Sequence, residues 1–305
     1  MYNPLVSIII PTFNRPQLLL QTVYDVLNQT WENIEIIIID DGVDDKLKNM
    51  ILSLNNNKIK YDNTNNIGCA LARLKGVKIS NGEFITFLDD DDKWDENYLM
   101  NQLKIFNENP LLNMVICNYE INNKNNKRDI RNMEKFTINF KKNIHERPGP
   151  FFQCCMFRRQ IFNKMDELFD PNSVPSEDWD FFMNLSKQNL SIGFSNQVGF
   201  IWNLSNSSQS SNLLQEAKGL VYIINKHYKF IHEICGFIIL SNHYRRIARI
   251  YEKLQDFTNV KNYYQKAFYV APYWWKNIFY FIVIKLGKKT GLTCIYFFRK
   301  MRNSI

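Results

Sequence analysis

The stretch Phe84-Ile85-Thr86-Phe87-Leu88-Asp89-Asp90-Asp91-Asp92 joins five largely apolar residues to four consecutive aspartates. The apolar residues predict a short buried β-strand. Such a strand does not normally end in a row of like charges, because each carboxylate raises the energy of its neighbours. A divalent cation is a good partner for this group, since Mg²⁺ and Mn²⁺ prefer oxygen ligands, and it would bring phosphate groups with it. The alternative is a solvated acidic turn.

Strand and helix patterns alternate on either side of this stretch. Predicted strands cover residues 6–10, ended by Pro11, and residues 34–39, 58–61 and 84–88; predicted helices cover residues 18–27, 45–54 and 68–79. The strands are apolar on both faces, which is typical of a parallel sheet covered by helices on each side. The first half of the chain is therefore predicted to adopt an α/β fold.

Three of these strands end in residues that suit a ligand site: Pro11-Thr12, Asp40-Asp41 and the four aspartates. In an open parallel sheet, ligands bind outside the carboxyl ends of the strands. We therefore expect three clusters that are distant in the sequence to meet in one crevice.

Charge divides the chain unevenly. Residues 1–215 contain 22 Lys and Arg against 26 Asp and Glu, a net charge of −4, whereas residues 216–305 contain 16 against 4, a net charge of +12. We predict a catalytic α/β domain over residues 1–215 and a basic, aromatic-rich, all-helical region over residues 216–305. Within the first domain, residues 121–147 are rich in Asn and Lys and predict an exposed loop or flap, and residues 203–212 predict a polar loop.

Composition limits the setting of the protein. The 305 residues are 45% hydrophobic, which indicates a folded, globular chain. The N-terminus lacks the pattern of a secretory signal, and no apolar run reaches the roughly 18 residues of a membrane span. The six cysteines, without C-x-x-C spacing, predict reduced core thiols, and the four histidines lack metal-site spacing. We therefore expect a cytoplasmic protein, with the cytoplasmic face of the membrane as the alternative location.

A second acidic group, Ser176-Glu177-Asp178-Trp179-Asp180, precedes a predicted helix. Ser176 could cap that helix, and acids in its first turn would interact well with the helix dipole. Capping needs one acid rather than three, so a functional role stays open beside the structural one.

The order and spacing of five segments resemble glycosyltransferase family 2. The segments are Ser7-Ile8-Ile9-Ile10-Pro11-Thr12-Phe13-Asn14-Arg15, Ile39-Asp40-Asp41-Gly42, Asn66-Ile67-Gly68-Cys69-Ala70-Leu71-Ala72-Arg73, the run from Gly82 to Asp92, and Phe157-Arg158-Arg159 with Phe169-Asp170 and Ser176-Glu177-Asp178. Each segment is short, but five in the family's order over residues 5–210 form a specific pattern. The resemblance implies the GT-A fold, a Rossmann-like, mostly parallel sheet flanked by helices. It also implies transfer of a sugar from a nucleoside diphosphate sugar, and we expect a UDP-linked donor.

The resemblance also implies roles for individual residues. The nucleotide-sugar site would contain Pro11, Thr12, Asn14, Arg15, Asp40, Arg73, Asp89 and Asp90. In that site Asp40 would accept a hydrogen bond from the base, and Asp89 would hold the ribose. Asp91 would bind Mg²⁺ or Mn²⁺ bridging the diphosphate, and Asp178 would be the general base. Glu177 and Trp179 would support the acceptor side, with Trp179 either stacking on a sugar or packing in the core.

These residue types suit the chemistry of glycosyl transfer. A nucleoside diphosphate leaving group gains negative charge in the transition state, which a divalent cation offsets. A sugar hydroxyl is a weak nucleophile at neutral pH, and a carboxylate that takes its proton contributes about 10²–10⁴-fold. One displacement, with Asp178 opposite the leaving group, would invert the anomeric centre.

Two features found in parts of the family are missing. Where members often carry a histidine that completes the metal shell, this chain has Trp202-Asn203-Leu204-Ser205. Either water or diphosphate oxygens would complete the shell, or the metal would bind weakly. The Q-x-x-R-W pattern of processive synthases is absent, which favours addition of a single sugar in cell-surface glycan or polysaccharide synthesis. The acceptor would be a glycan or a lipid-linked sugar.

The basic C-terminal segment has two interpretations. Residues 273–305 combine aromatic and basic residues with an apolar run too short to span a membrane. They could lie in the bilayer interface as a peripheral contact, or pack on the protein with a basic face in water. A nucleic-acid partner is not expected, and would require salt-sensitive binding to DNA or RNA.

Two other functions stay open. A sugar-nucleotide pyrophosphorylase shares the core fold but carries a glycine-rich loop with arginine after the first strand, where this chain has Pro-Thr-Phe-Asn-Arg. A non-catalytic nucleotide-sugar-binding protein would account for the missing histidine. The substitution Asp178→Asn separates the alternatives, because only the enzyme would lose turnover while it keeps donor binding.

Overall fold

The computed structural model describes residues 2–42, 45–122, 128–203 and 212–303. The chain divides into two compact units. The first contains Met1–Pro171 and Glu177–Asn206, and the second contains Asn172–Ser176 and Ser207–Ile305.

One mixed sheet forms the centre of the first unit. Its strands are β1 (Val6–Thr12), β2 (Ile34–Asp40), β3 (Ile59–Asn63), β4 (Phe84–Phe87), β5 (Lys93–Trp94), β6 (Met114–Asn122), β7 (Asp129–Arg131), β8 (Cys155–Arg158) and β9 (Ile192–Asn203). They follow the order β3-β2-β1-β4-β8-β6-β9-β5, and β7 pairs with β6. The strands β3, β2, β1 and β4 are parallel, as predicted. Beyond β4 most pairings are antiparallel, although β6 and β9 run parallel.

The parallel half forms because its strands are apolar on both faces. Every residue of β1 and of β2 is buried, with Ile8 opposite Ile36 and Ile10 opposite Ile38. The prediction that Pro11 ends the first strand is wrong, since β1 continues to Thr12. Proline has no backbone N–H group to donate. It is tolerated at this position because β4 pairs with β1 only as far as Ile9, so no hydrogen bond to β4 is needed from residue 11.

Seven helices surround this sheet in the described part of the first unit. They are α1 (Pro16–Leu27), α2 (Asp45–Ser53), α3 (Cys69–Ile79), α4 (Tyr98–Glu108), α5 (Lys135–Ile138), α6 (Phe140–Glu146) and α7 (Glu177–Leu185). The helices α1, α2 and α3 connect the parallel strands, which is the crossover arrangement that the alternating pattern predicts. Helix α3 packs so close to β1 that a Cβ atom at Gly76 would collide with the side chain of Ile9.

The prediction of an exposed flap over residues 121–147 is wrong for the residues that the structure describes there. Residues 128–147 contain β7, α5 and α6, and residues 123–127 lie outside the described ranges. Phe136 of α5 and Phe140 and Ile144 of α6 are buried, and Asn139, which has a non-helical φ of −145°, separates the two helices. The many Asn and Lys residues of this region therefore surround a small set of buried apolar side chains.

The second unit is helical, as predicted. Its helices are α8 (Leu213–Lys226), α9 (Tyr228–Lys253), α10 (Phe257–Val270), α11 (Trp275–Ile284) and α12 (Lys288–Asn303). Gly236 interrupts α9 with a positive φ of 78°, a conformation that glycine adopts without steric cost. The predicted domain boundary at residue 215 falls inside α8. Of the helices that the structure describes, none combines the length and the apolar character needed to cross a membrane.

Candidate active site

The carboxyl ends of β1 and β4 meet, as predicted. Thr12, the last residue of β1, donates a hydrogen bond from its hydroxyl to Oδ2 of Asp90 over 2.7 Å. Arg15 follows β1 and places one guanidinium nitrogen 3.2 Å from Asp90 and 3.0 Å from Asp91. The first predicted cluster therefore contacts the acidic motif (residues 89–92) directly, and a loop arginine offsets part of its charge.

The end of β2 supplies the third cluster. Oδ2 of Asp40 accepts a hydrogen bond from the hydroxyl of Tyr61 over 2.7 Å, and Oδ1 accepts one from the backbone N–H of Gly42 over 2.9 Å. Asn14 has a positive φ of 54°, and its side chain occupies the space that a Cβ atom at Gly42 would need. Gly42 therefore lets the nucleotide-loop residue Asn14 lie close to the end of β2.

Asp41, which the sequence grouped with Asp40 as a strand-end cluster, holds a loop in place. Its carboxylate accepts hydrogen bonds from the hydroxyl of Thr64 and the backbone N–H groups of Ile67 and Gly68, each over 2.6 to 2.7 Å. Gly68 has a positive φ of 88° and directly precedes α3. Asp41 thereby fixes the loop from which α3 starts, and α3 carries Arg73.

Arg73 joins the acidic motif to the second acidic group. The buried guanidinium lies 2.6 Å from Oδ1 of Asp89 and 3.0 Å from Oε1 of Glu177, and it stacks 4.8 Å over the ring of Phe152. Cys69, one turn earlier on α3, contacts the same Glu177 oxygen over 3.1 Å. Residues 73, 89 and 177, which are far apart in the sequence, therefore belong to one network.

Asp178 lies in the first turn of α7, next to Glu177. Its Oδ2 accepts a hydrogen bond from the backbone N–H of Phe152 over 3.2 Å. Burial raises the pKa of Asp178 against the opposing charge of Arg73, and with the added repulsion of Glu177 and Asp89 the pKa is about 7. A carboxylate with a pKa in this range suits general-base chemistry at neutral pH.

Gln153 is a site residue that the sequence reasoning missed. Its side-chain N–H₂ group donates to Oδ2 of Asp89 over 2.6 Å and to Oδ2 of Asp92 over 3.1 Å. It belongs to a one-turn 3₁₀ helix, Phe152–Cys154, whose first residue also binds Asp178. This turn connects the acidic motif with the predicted base.

Trp179 is buried, and its indole N–H donates to the backbone carbonyl of Ile144 over 2.6 Å. Of the two interpretations of this residue, its position favours packing in the core over stacking on a sugar. The carboxylate of Glu177 accepts hydrogen bonds from Arg73 and Cys69 and therefore belongs to the network. Its role in the structure is to hold Arg73.

The chemistry of the acidic motif fits a divalent cation. Burial, followed by repulsion from Asp89 and Asp91, raises the pKa of Asp92 to about 9. Among the described residues, no three His, Cys, Asp or Glu side chains are grouped as a complete metal site. Mg²⁺ is commonly held by one or two carboxylates together with substrate phosphates and water. Asp91, which is partly exposed, is the residue best placed for this role.

The end of strand β9 also reaches this motif. Strand β9 ends at Asn203, whose side-chain nitrogen lies 3.5 Å from the backbone carbonyl oxygen of Asp91. Leu204 and Ser205 lie outside the described residues. The strand thus reaches the acidic motif at Asn203, the last described residue before the position where the resemblance expects the family's histidine.

Comparison with known proteins decides the family. The model of glycosyl transferase family 2 matches residues 7–166. The chain belongs to glycosyltransferase family 2. An uncharacterized glycosyltransferase of Rickettsia bellii is 30% identical over 228 residues, which are 73% of this chain and 33% of that protein. The chain therefore spans only about a third of that relative's length.

Another family 2 relative has a specific name. The protein WfgD of Escherichia coli, named UDP-Glc:alpha-D-GlcNAc-diphosphoundecaprenol beta-1,3-glucosyltransferase, is 32% identical over 219 residues, 70% of this chain and 83% of WfgD. Two solved structures share the fold. Residues 1–349 of S. aureus TarS in complex with UDP-GlcNAc superpose with a TM-score of 0.61 at 17% identity, covering 85% of this chain and 80% of that fragment. The mannosyltransferase PcManGT of Pyrobaculum calidifontis, in complex with GDP-Man and Mn²⁺, superposes with a TM-score of 0.57 at 15% identity, covering 82% and 74%. The predicted family and GT-A fold are confirmed.

Proposed function

We propose that this chain transfers a single sugar from a UDP-linked donor to an acceptor hydroxyl, with inversion, during the synthesis of a cell-surface glycan. One observation carries the proposal: Asp178 and the acidic motif belong to the same network. Arg73 bridges Asp89 and Glu177, and the Phe152–Cys154 turn contacts both Asp178 and Asp89. Acids that are distant in the sequence thus surround one site, as transfer from a nucleotide sugar requires.

The donor would lie along the carboxyl ends of the parallel strands. Asp40 and Asn14 would contact the base, and Asp89 and Thr12 the sugar-phosphate portion. The names of two similar proteins, the UDP-glucose-dependent WfgD and the UDP-GlcNAc complex of TarS, support a UDP-linked donor. The Mn²⁺ complex of PcManGT supports a divalent cation, with Asp91 as its ligand here.

Asp178 would take the proton of the acceptor hydroxyl. Its pKa of about 7 leaves a substantial fraction ionised at neutral pH while keeping it basic enough to accept a proton. A bound divalent cation would offset the charge of the diphosphate leaving group. Arg73, held by Glu177 and stacked on Phe152, stays charged beside Asp89 and adds positive potential on the donor side. Attack from the side of Asp178 inverts the anomeric centre.

The acceptor would be a glycan or a lipid-linked sugar. Support comes from the name of WfgD, which specifies an N-acetylglucosamine linked to diphosphoundecaprenol. Addition of one sugar, rather than polymerisation, is supported by the absence of the processive Q-x-x-R-W pattern.

Donor binding and turnover test the proposal together. UDP-sugars with Mn²⁺ should raise the melting temperature of the wild-type protein, and Asp178→Asn should keep this shift while losing about 10²–10⁴-fold in turnover. Asp129→Asn, which changes an exposed carboxylate on β7, is the matched control and should keep both. Full turnover in Asp178→Asn would refute the assignment. Formation of UTP from UDP-sugar and pyrophosphate would instead identify a pyrophosphorylase.

We also propose that the second unit contacts the membrane surface. Trp275, Ile278, Ile282 and Leu286 recur at helical spacing along α11 and just beyond it, and each is between 38% and 55% exposed. The C-terminal end of this stripe is next to three exposed lysines, Lys285, Lys288 and Lys289. An apolar stripe beside cations suits the interface of an anionic bilayer.

Vesicles of mixed phosphatidylcholine and phosphatidylserine test this contact. Ile282→Asp should lower the fraction of protein that sediments with the vesicles by about tenfold, because it removes buried apolar area and adds repulsion. Leu111→Asp changes a residue of the first unit that is 82% exposed and should leave sedimentation unchanged. Equal sedimentation of both variants, or no sedimentation of the wild type at physiological salt, would disprove the membrane contact.

A further inference from the structure

We propose that Tyr119, Phe151 and Trp202 form an aromatic subsite for a pyranose ring of the acceptor. This inference rests on the proposed function, because it assigns the sugar-binding surface of the same active site. All three side chains are only partly buried. They come from three separate segments of the first unit, the strands β6 and β9 and the residue before the Phe152–Cys154 turn.

The three rings form one contiguous cluster on a rigid base. The ring centroid of Phe151 lies 5.2 Å from that of Tyr119 and 5.2 Å from that of Trp202. Phe200, which is buried, lies 6.0 Å from Tyr119 and 6.3 Å from Phe151. Because β6 pairs with β9 in the register Tyr119 to Phe200 and Ile121 to Trp202, Phe200 and Trp202 are on the same face of the sheet. Phe200 is buried in the core, whereas the rings of Tyr119, Phe151 and Trp202 are each partly exposed and can be reached by a ligand.

The cluster adjoins both sides of the catalytic site. Phe151 precedes Phe152, whose backbone N–H binds Asp178. Trp202 precedes Asn203, whose side chain contacts the backbone carbonyl of Asp91. A ring on these aromatics would therefore lie near both the predicted base and the predicted metal ligand, in the region that an acceptor hydroxyl has to reach.

The chemistry of the cluster matches a sugar. A pyranose has an apolar face of C–H groups and an edge of hydroxyls, and ligand sites commonly combine aromatic walls with a few polar groups. Asn122 and Asn203, which hydrogen-bond to each other over 3.0 Å, follow Ile121 and Trp202 in the strand register and lie on the opposite face of the strands, so the aromatic rings themselves define the subsite. The aromatic rings would take the C–H face of the sugar and leave its hydroxyl edge exposed.

Saturation-transfer NMR with methyl glycosides of glucose, galactose, mannose and N-acetylglucosamine tests the subsite. The wild-type protein is saturated with UDP and Mn²⁺, so that the sugars cannot bind in the donor nucleotide site. At least one glycoside should receive saturation in the wild type, and Trp202→Leu and Phe151→Leu should each weaken its binding by about tenfold, the effect of losing a stacking partner. Trp202→Phe should restore most of the binding.

Trp31→Leu is the matched control, since Trp31 is also half-buried but donates its indole N–H to Pro4, away from the site. It should leave glycoside binding unchanged, and all variants should bind UDP within about twofold of the wild type. Unchanged glycoside binding in both leucine variants, or no glycoside binding in a wild type that binds UDP, would overturn the subsite alone. A wild type that fails to bind UDP would overturn the proposed function, and the subsite with it.

Discussion

Replacing Arg73 with methionine removes the cation at the centre of the site while keeping a long, unbranched side chain. The side chain of Arg73 is only 3% exposed, and it contacts Asp89 and Glu177 at 2.6 and 3.0 Å. In Arg73→Met, the buried Glu177 would keep the hydrogen bond from the Cys69 thiol but lose its cation, whereas the more exposed Asp89 keeps Gln153. Removing one partner of a buried ion pair costs about 3–5 kcal/mol, so we expect a loss of about 4 kcal/mol.

Urea unfolding followed by tryptophan fluorescence measures this loss, because four of the six tryptophans belong to the first unit. Arg131→Met is the control. It breaks an ion pair of similar length, 2.6 Å to Asp129, but its two side chains are 50% and 38% exposed. An exposed pair contributes little, so the control should lose less than about 1 kcal/mol. Equal losses in the two variants would refute the conclusion that Arg73 organises the site.

The same variant should change the pH dependence of catalysis. The charge of Arg73 lowers the pKa of Asp178, so its removal should raise that pKa. The base has to be ionised to act, and the acid limb of the kcat profile in Arg73→Met should therefore move to higher pH. A limb that stays in place would exclude Asp178 as the group that titrates.

Three further predictions concern groups around the site. Gln153→Leu should weaken UDP binding in the presence of Mn²⁺ by about tenfold in calorimetry, because Asp89 and Asp92 lose a shared donor; unchanged affinity would contradict this. Gly42→Ala should raise the donor KM, since the new Cβ displaces the side chain of Asn14, whereas kcat should change little. Burial works to raise the pKa of Glu35, but hydrogen bonds from Lys60, Ser7 and the Asn81 backbone outweigh it and lower that pKa below 4.5. This stabilisation is present above pH 4.5 and is lost as pH falls through the lowered pKa, so Glu35→Gln should flatten the acid side of a plot of melting temperature against pH.

The parallel half of the fold and the convergence of its strand ends could be predicted from the sequence. Runs such as residues 34–39 are apolar throughout, and in a parallel sheet such strands bring their carboxyl ends to one edge. That rule alone places Thr12 and Asp40 on the edge that carries the acidic motif. The resemblance to family 2 added the link to Asp178, which no local pattern contains.

The rest of the sheet, in which most pairings are antiparallel, could not be predicted in the same way. The pairing of β8 with β4 and β6, and of β9 with β6, joins segments that lie far apart in the sequence. Nothing in the local sequence specifies such a register. Gln153 escaped notice for the same reason, because it becomes a site residue only through a turn that packs against residues about 60 positions earlier.

The error over residues 121–147 has a different origin. The prediction of a flap there was based on the high content of Asn and Lys. It gave too little weight to Phe136, Phe140 and Ile144, whose four-residue spacing is typical of helical structure. Trp179 shows the limit of motif reasoning, since only the structure shows the indole N–H bound to Ile144.

Crystals of the full chain grown with UDP and Mn²⁺ would test the central claim most directly. Anomalous diffraction locates Mn²⁺ without reference to the surrounding protein. We predict a manganese peak in contact with the carboxylate of Asp91 and the diphosphate, with the uracil beside Asp40. A manganese ion bound away from residues 89–92, or a nucleotide bound away from the ends of β1, β2 and β4, would contradict the account.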